Sequence, residues 1–291
     1  MHTQVLRRVL VSLWITIFIL GLISIPPLVS LSAADQLDPS FDGDGKLLTA
    51  LGSSNINGQS ILVQSDQKLV VAGSVFAGED WDFALLRYCP NGKLDDGVNC
   101  GAPGFGTGGR VVTDFSGSYE DAYAVKVQDD GKILVAGSSD NGNLGLDFAL
   151  ARYNPDGTLD STFGSGGKVL TNFVDKTDVA TALLLLPDNK ILAAGYAVNG
   201  SYYDFALARY TADGIPDPTF SDDGKMLTDL SGKSDYAYAL ILQPDNKIVA
   251  AGYADNNFAL ARYDLDGNPD VSFSDDGEVT TNFGGTDRGR A

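Results

Sequence analysis

An all-β fold of repeated four-stranded antiparallel sheets is what this sequence predicts, and three observations predict it. An aromatic–aliphatic motif, FALLRY at Phe83, returns as FALARY at Phe148, Phe205 and Phe258. Three further short apolar motifs accompany each copy in a fixed order. Gly, Asp, Asn and Pro stand between them, and beyond residue 34 no stretch carries the 3.6-residue apolar period of a helix.

The N-terminus comes first and is different. Arg7 and Arg8 precede an uncharged run over 9–25, Pro26 and Pro27 break it, and Leu31-Ser32-Ala33-Ala34 offers small residues for cleavage. That layout predicts a secretory signal peptide over 1–34, in the form of a helix. The competing reading is an uncleaved anchor, for which the run sits at the short limit of a membrane span. Either way 35–291 is expected outside the cell, secreted or at its surface.

Within the body, each unit opens on SILVQ at Ser60, AVKVQ at Ala124, ALLLL at Ala182 or ALILQ at Ala239. A short polar turn leads to KLVVAG at Lys68, KILVAG at Lys132, KILAAG at Lys190 or KIVAAG at Lys247. In these turns Gly131, Asn189 and Asn246 suit the left-handed position of a tight hairpin. The FALARY motif follows, then RVVTDF at Arg110, KVLTNF at Lys168, KMLTDL at Lys225 or EVTTNF at Glu278. Each motif is β-branched, aliphatic and aromatic, so each is a strand. In FALARY the Phe, Leu and Arg share one pleat face, and the two alanines and the Tyr share the other. Small alanines on one side let neighbouring sheets approach closely.

A sheet of some 55 residues has a poor core alone. Four-stranded units at a period of roughly 50–60 residues are the signature of β-propeller blades. A β-solenoid, with shorter coils, and a string of separate sheets are the alternatives. The blades are predicted at 60–115, 122–173, 180–230 and 236–283. A spare strand, KLLTAL, lies at 46–51, and 284–291 begins a further repeat, with Asp287 aligned to Asp235. The expectation is therefore about four complete blades with partial repeats at both ends, in a chain incomplete at its C-terminus.

Further recurring segments are LDPSF at 37–41, LDSTF at 159–163, PDPTF at 216–220 and PDVSF at 269–273. Together with PDxKIxxAG and DFALARYxxDG, this order of motifs resembles the delta-60 repeat of exported bacterial proteins. The resemblance covers 37–291. It implies a β-propeller and export, and it implies no activity. The first unit departs from the pattern: 94–109 reads LDDGVNCGAPGFGTGG where the next unit has LDSTFGSGG. We read the excess as a rim loop tied back by a disulfide between Cys89 and Cys100, which an oxidising compartment permits. So short a closed loop stabilises by about 2–3 kcal/mol in the chain-entropy model. Two free thiols on an irregular loop are the alternative.

Composition excludes several functions. There are 38 acids against 20 bases, a formal charge of −18. Nucleic-acid phosphates would be repelled. The one histidine is His2, so the body holds no Ser-His-Asp or Cys-His relay and no His-ligated zinc. No phosphate loop, GxSxG, HExxH or CxxC occurs, and beyond the signal no membrane partner is expected.

Three groups of residues remain as candidates. Asp264, Asp266 and Asp270 spell DxDGxxD, whose oxygens can converge on calcium, with weaker versions at 154–160, 211–217 and 89–95. A self-capped turn explains the same residues. Arg87, Arg152, Arg209 and Arg262 recur once per unit, either as a ring of cations around a ligand channel or as structural ion pairs, and Asp82, Asp147 and Asp204 stand close by in sequence. Tyr119, Tyr123, Tyr196, Tyr202, Tyr203, Tyr236, Tyr238 and Tyr253 could face a sugar or pack between blades. No catalytic or cofactor-binding residue is assigned. The function expected is an extracellular, non-catalytic binding or scaffolding module for a protein or glycan. The alternative is a hydrolase or lyase, on polysaccharide for example, that works with acids alone at the ring mouth.

Overall fold

The computed structural model describes residues 37–50, 55–115, 119–140, 142, 145–174, 176–285 and 287. The predicted signal segment lies outside them, as do residue 51 of the spare strand and 286 and 288–291 of the last partial repeat. The chain divides into two units, 1–46 and 47–291. In the first, 37–46 forms consecutive turns, with Phe41 N–H on the Asp38 carbonyl at 3.1 Å and Gly45 N–H on the Phe41 carbonyl at 2.7 Å.

The second unit holds four antiparallel sheets, each a meander of four strands in chain order. The first contains β1 (Ile56–Val63), β2 (Leu69–Ala77), β3 (Asp80–Tyr88) and β4 (Arg110–Thr113). The second contains β5 (Glu120–Val127), β6 (Ile133–Asp140), β7 (Leu146–Tyr153) and β8 (Lys168–Thr171). The third contains β9 (Asp178–Leu185), β10 (Ile191–Asn199), β11 (Tyr202–Tyr210) and β12 (Lys225–Thr228). The fourth contains β13 (Asp235–Leu242), β14 (Ile248–Ala254), β15 (Asn257–Tyr263) and β16 (Glu278–Thr281). Apart from one helical turn at Ser274–Gly277, no helix occurs among the described residues of this unit. The fold is the β-propeller arrangement of four-stranded blades that the repeats predict. The described part of the KLLTAL segment, 46–50, is irregular rather than a strand.

Local chemistry sets each sheet. The first hairpin turns on Gln67, Gly131, Asn189 and Asn246, all with positive φ. Asp66, Asp130, Asp188 and Asp245 accept the N–H two residues on at 3.1–3.3 Å, which stands in for the turn's missing ladder bonds. One glycine per sheet has a steric duty. The first strand bulges against the second at one point in every sheet. There a Cβ on Gly73, Gly137, Gly195 or Gly252 would lie 1.8–1.9 Å from the carbonyl oxygen of Asn57, Asp121, Val179 or Tyr236. The "AG" ending of each KILVAG motif is thus required by backbone approach.

Between sheets, the two FALARY faces meet as their side chains suggest. Phe83 and Leu85 of the first sheet pack on Ala149, Ala151 and Tyr153 of the second. Phe148 and Leu150 meet Ala206, Ala208 and Tyr210, and Phe205 and Leu207 meet Ala259, Ala261 and Tyr263. The buried phenols bond to a threonine of the sheet before: Tyr153 to Thr113 at 2.8 Å, Tyr210 to Thr171 at 2.7 Å and Tyr263 to Thr228 at 2.8 Å. Tyr88 makes the same bond at 2.8 Å to Thr49, in the irregular segment.

The recurring arginines fasten the junctions. Arg87, Arg152 and Arg209 are buried. Each bonds through Nε to a carboxylate of its own sheet, Asp95, Asp160 or Asp217, at 2.7–2.8 Å. A terminal nitrogen reaches a carbonyl of the next sheet, at Pro155, Ala212 or Leu265. Under each guanidinium lies Phe105, Phe163 or Phe220, centroid 4.5–4.9 Å away, and those rings also press on Gly157, Gly214 and Gly267 of the following turn.

Two substitutions test this account by urea denaturation. Gly195→Ala is expected to lower stability by about 1–3 kcal/mol through overpacking. Asp217→Ala, which leaves Arg209 and Lys190 buried or half-buried without their shared acceptor, is expected to lower it by about 3–5 kcal/mol.

Candidate functional site

The first strands of successive sheets lie beside one another, β1 by β5, β5 by β9 and β9 by β13. Aromatic and polar side chains gather where these strands begin. Asp121 starts the group. Its carboxylate accepts the hydroxyls of Tyr119 at 2.6 Å, Tyr123 at 3.3 Å and, from the first sheet, Ser74. Tyr196 and Tyr203 of the third sheet meet edge-to-face at 5.2 Å. Tyr236 of the fourth lies 4.8 Å from Tyr196 and 5.2 Å from Tyr203, and it continues to Tyr253 at 4.8 Å. Tyr238 stacks on Tyr253 at 5.8 Å.

Strand register explains the composition of this band. Asn57 faces Ser74, Asp121 faces Ser138, Val179 faces Tyr196 and Tyr236 faces Tyr253 at one position repeated in the four sheets. The position is polar in the first two sheets and chiefly aromatic in the last two. The hydrogen bond to Asp121 raises the Tyr119 phenol to about 12, and burial beside Tyr203 and Tyr236 does the same for Tyr196. Burial next to Asp121 lifts Tyr123 further. The phenols are therefore neutral donors around a buried acceptor. Of the tyrosines singled out from sequence, Tyr202 alone has no part in these contacts; it is exposed at the β10–β11 turn. Asp121 and Ser74 carried no motif. Only their variation at a repeated register position marks them.

Carboxylates cluster at the junctions near the same strand starts. Asp82, Asp114 and Glu120 offer oxygens within 4.8 Å of one another, and so do Asp204, Asp229 and Asp235. Three oxygens at that spacing are what a hard cation requires. In the second cluster the oxygens have protein donors: Asn199 on Asp204, the Ser231 and Gly232 amides on Asp229, and the Leu230 amide and Ser231 hydroxyl on Asp235. Burial raises Asp82 and Asp204, and it lifts Asp235 to about 6. The DxDGxxD carboxylates are arranged otherwise. Asp264 accepts the Asp266 and Asn268 amides at 2.9 Å, while Asp270 turns to Arg262.

At the other end of the sheets an open cleft of about 680 Å³ lies between the first two sheets. Lys68, Arg87, Gln128, Asp156 and the loop at Cys100–Pro103 line it. Cys89 and Cys100 are joined by a disulfide, Cα atoms 5.6 Å apart, which holds that loop against the sheet. The arginines form no open cationic ring. Their carboxylates are Asp95, Asp160, Asp217 and Asp270 rather than Asp82, Asp147 and Asp204. The acids that burial shifts upward, Asp82, Asp204 and Asp235, do not line the cleft.

Residues 64–97, 128–163, 186–220 and 243–273 match the family described as Domain of unknown function (DUF5122) beta-propeller. No curated protein sequence matches the chain. Among solved structures it is similar to a protein of unknown function from Dyadobacter fermentans, at 14% identity over 81% of this chain and 66% of that one, TM-score 0.39. A putative hydrolase from Bacteroides ovatus is similar at 13% identity over 72% of this chain and 67% of that one, TM-score 0.34. An exo-1,5-alpha-L-arabinanase from a bovine ruminal metagenomic library is similar at 11% identity over 76% and 71%, TM-score 0.31.

The two kinds of buried carboxylate predict a stability optimum in mild acid. Asp235 binds its proton more tightly folded than unfolded, so its term grows as pH falls from about 6 to about 4 and is lost as pH rises through 6. Burial opposes ionisation of Asp217 too, but bonds from Thr219, with Lys190 and Arg209 alongside, hold it at about 2. Its contribution is complete above about pH 4 and is lost toward pH 2. Melting temperature should rise from pH 7 to about 4.5 and fall below that, and Asp235→Asn should flatten the rise.

Proposed function

We propose that this chain, built of β-propeller repeats, is a non-catalytic binding module that works outside the cell and takes a glycan on the tyrosine band. One observation carries the reading: Tyr196, Tyr203, Tyr236 and Tyr253 join across two sheets, and Tyr119 and Tyr123 converge on Asp121 beside them. Sugar rings present C–H faces that stack on aromatics and hydroxyls that need fixed donors and acceptors. The band sets the two side by side. Residues that the fold needs recur in every repeat, whereas these do not, so a ligand gives them a reason to be there. Export is supported by the charged and apolar leader over 1–34 and by the disulfide.

A glycan array followed by calorimetry on the best hit tests the proposal. Tyr236→Ala and Asp121→Asn should each weaken binding at least tenfold with the fold retained by circular dichroism. Tyr202→Ala, outside the band, should leave affinity unchanged. An array without hits, or a hit that both band variants retain, would overturn it.

A further inference from the structure

We propose that the cleft between the first two sheets is a second binding site, separate from the tyrosine band, and that it takes an extended peptide segment with a basic side chain near an apolar one. The cleft accompanies a departure of the first unit from the other three. In the second, third and fourth units the arginine Nη2 donates to Thr162, Thr219 or Ser272 at 2.7–3.3 Å. Counted from the arginine's carboxylate partner, the first unit has Gly97 at that place, which carries no hydroxyl. Arg87 spends Nε on Asp95 and Nη1 on the Pro155 carbonyl, and it lines the cleft. Its second terminal nitrogen is left to donate to a ligand.

The loop that stands in place of the threonine is a tied wall. Gly97 and Gly104 close its base, since a Cβ on Gly104 would lie 2.6 Å from the Gly97 nitrogen. Asp96 accepts the Val98 and Asn99 amides at 2.9 and 2.8 Å, and Asn99 Nδ2 donates to the Leu94 carbonyl at 3.1 Å. The disulfide from Cys100 to Cys89 holds the loop to the sheet. Cys100–Pro103 thus line the cleft in a fixed arrangement, and a ligand meets them at little ordering cost.

Two glutamines on the cleft carry acceptors that the fold leaves unused. Gln64 and Gln128 each have a buried Oε1 with no donor among the described residues. Gln243, at the same place in the fourth sheet, is alike, and the third sheet has Leu186 there. The fold therefore needs no amide at this position. Rotating the amide about its last torsion turns the carbonyl into the cleft, where a ligand N–H satisfies it. A peptide main chain supplies such N–H groups and, for Arg87, a carbonyl oxygen. Charge selects the side chain. Lys68 pairs with Asp66 and Asp95, and Arg87 with Asp95. Asp129 and Asp156, also on the cleft, form no ion pair among the described residues, which favours a cationic ligand. Gln128 and Asp129 border a second hollow as well, of about 250 Å³, lined by Leu185, Leu186, Pro187 and Leu242. A basic residue in the larger cleft and an apolar one in the smaller hollow suit one short segment.

Fluorescence polarisation with labelled, end-blocked hexapeptides tests the proposal. The peptides carry one leucine and one lysine at each separation in a Ser-Gly background, and a matched set has glutamate for lysine. A Leu/Lys peptide is expected to bind saturably and the Leu/Glu set to stay free. Gln128→Leu, which copies the third sheet, and Asp129→Asn, at an exposed position, should each weaken binding at least about tenfold at unchanged melting temperature. Tyr236→Ala and Asp121→Asn, which remove parts of the glycan band, should leave peptide affinity unchanged, so the two readings fail separately. The proposal is overturned if no Leu/Lys peptide binds, if the Leu/Glu set binds equally, or if either cleft variant keeps full affinity.

Discussion

Arg87, Arg152 and Arg209 each bond a carboxylate on their own sheet and a backbone carbonyl on the next. A buried guanidinium is tolerated only when its donors are satisfied, so the arginine of one sheet is stable only when the next is in place. This makes neighbouring sheets interdependent. The phenylalanine beneath each arginine fills the space against the next glycine turn, and the alanine faces bring the sheets close enough for both contacts. A sheet of this size has too little core to stand alone. The junction, more than the sheet, is the cooperative unit of the fold.

Internal repetition separates what the fold needs from what it merely accommodates. Every sheet keeps its bulge glycine, its FALARY tyrosine and its arginine, each with a steric or hydrogen-bonding duty. At the strand starts the sheets diverge, from Asn57 and Asp121 to Val179 and Tyr236. Backbone geometry there is the same in all four, so packing does not dictate the residue. The aromatic half and the polar half of the band come from that freedom.

The acid excess divides into populations with opposite behaviour. Asp160 and Asp217 lie against arginine, lysine and threonine donors, and they stay ionised despite burial. Asp82, Asp204 and Asp235 lie among other acids, and burial moves them toward the protonated form. Cations are concentrated at the arginine junctions, which leaves the acids near the strand starts without a basic partner to offset burial.

The sequence by itself determined the strands, their order in each sheet, the turn residues and the pairing of one FALARY face with the other. These follow from periodicity and local stereochemistry, which repeat with the motifs. It named every tyrosine of the band but not their company. Asp121, Ser74 and the partners of the arginines emerge only when the sheets stack, because Asp121 meets Ser74 across 47 residues of chain and Arg87 reaches Pro155 across 68. Proximity in sequence pointed to Asp82 for Arg87, and the tertiary structure chose Asp95. An antiparallel turn brings Asp95 back alongside the arginine's strand, whereas Asp82 lies further along that strand toward its other end.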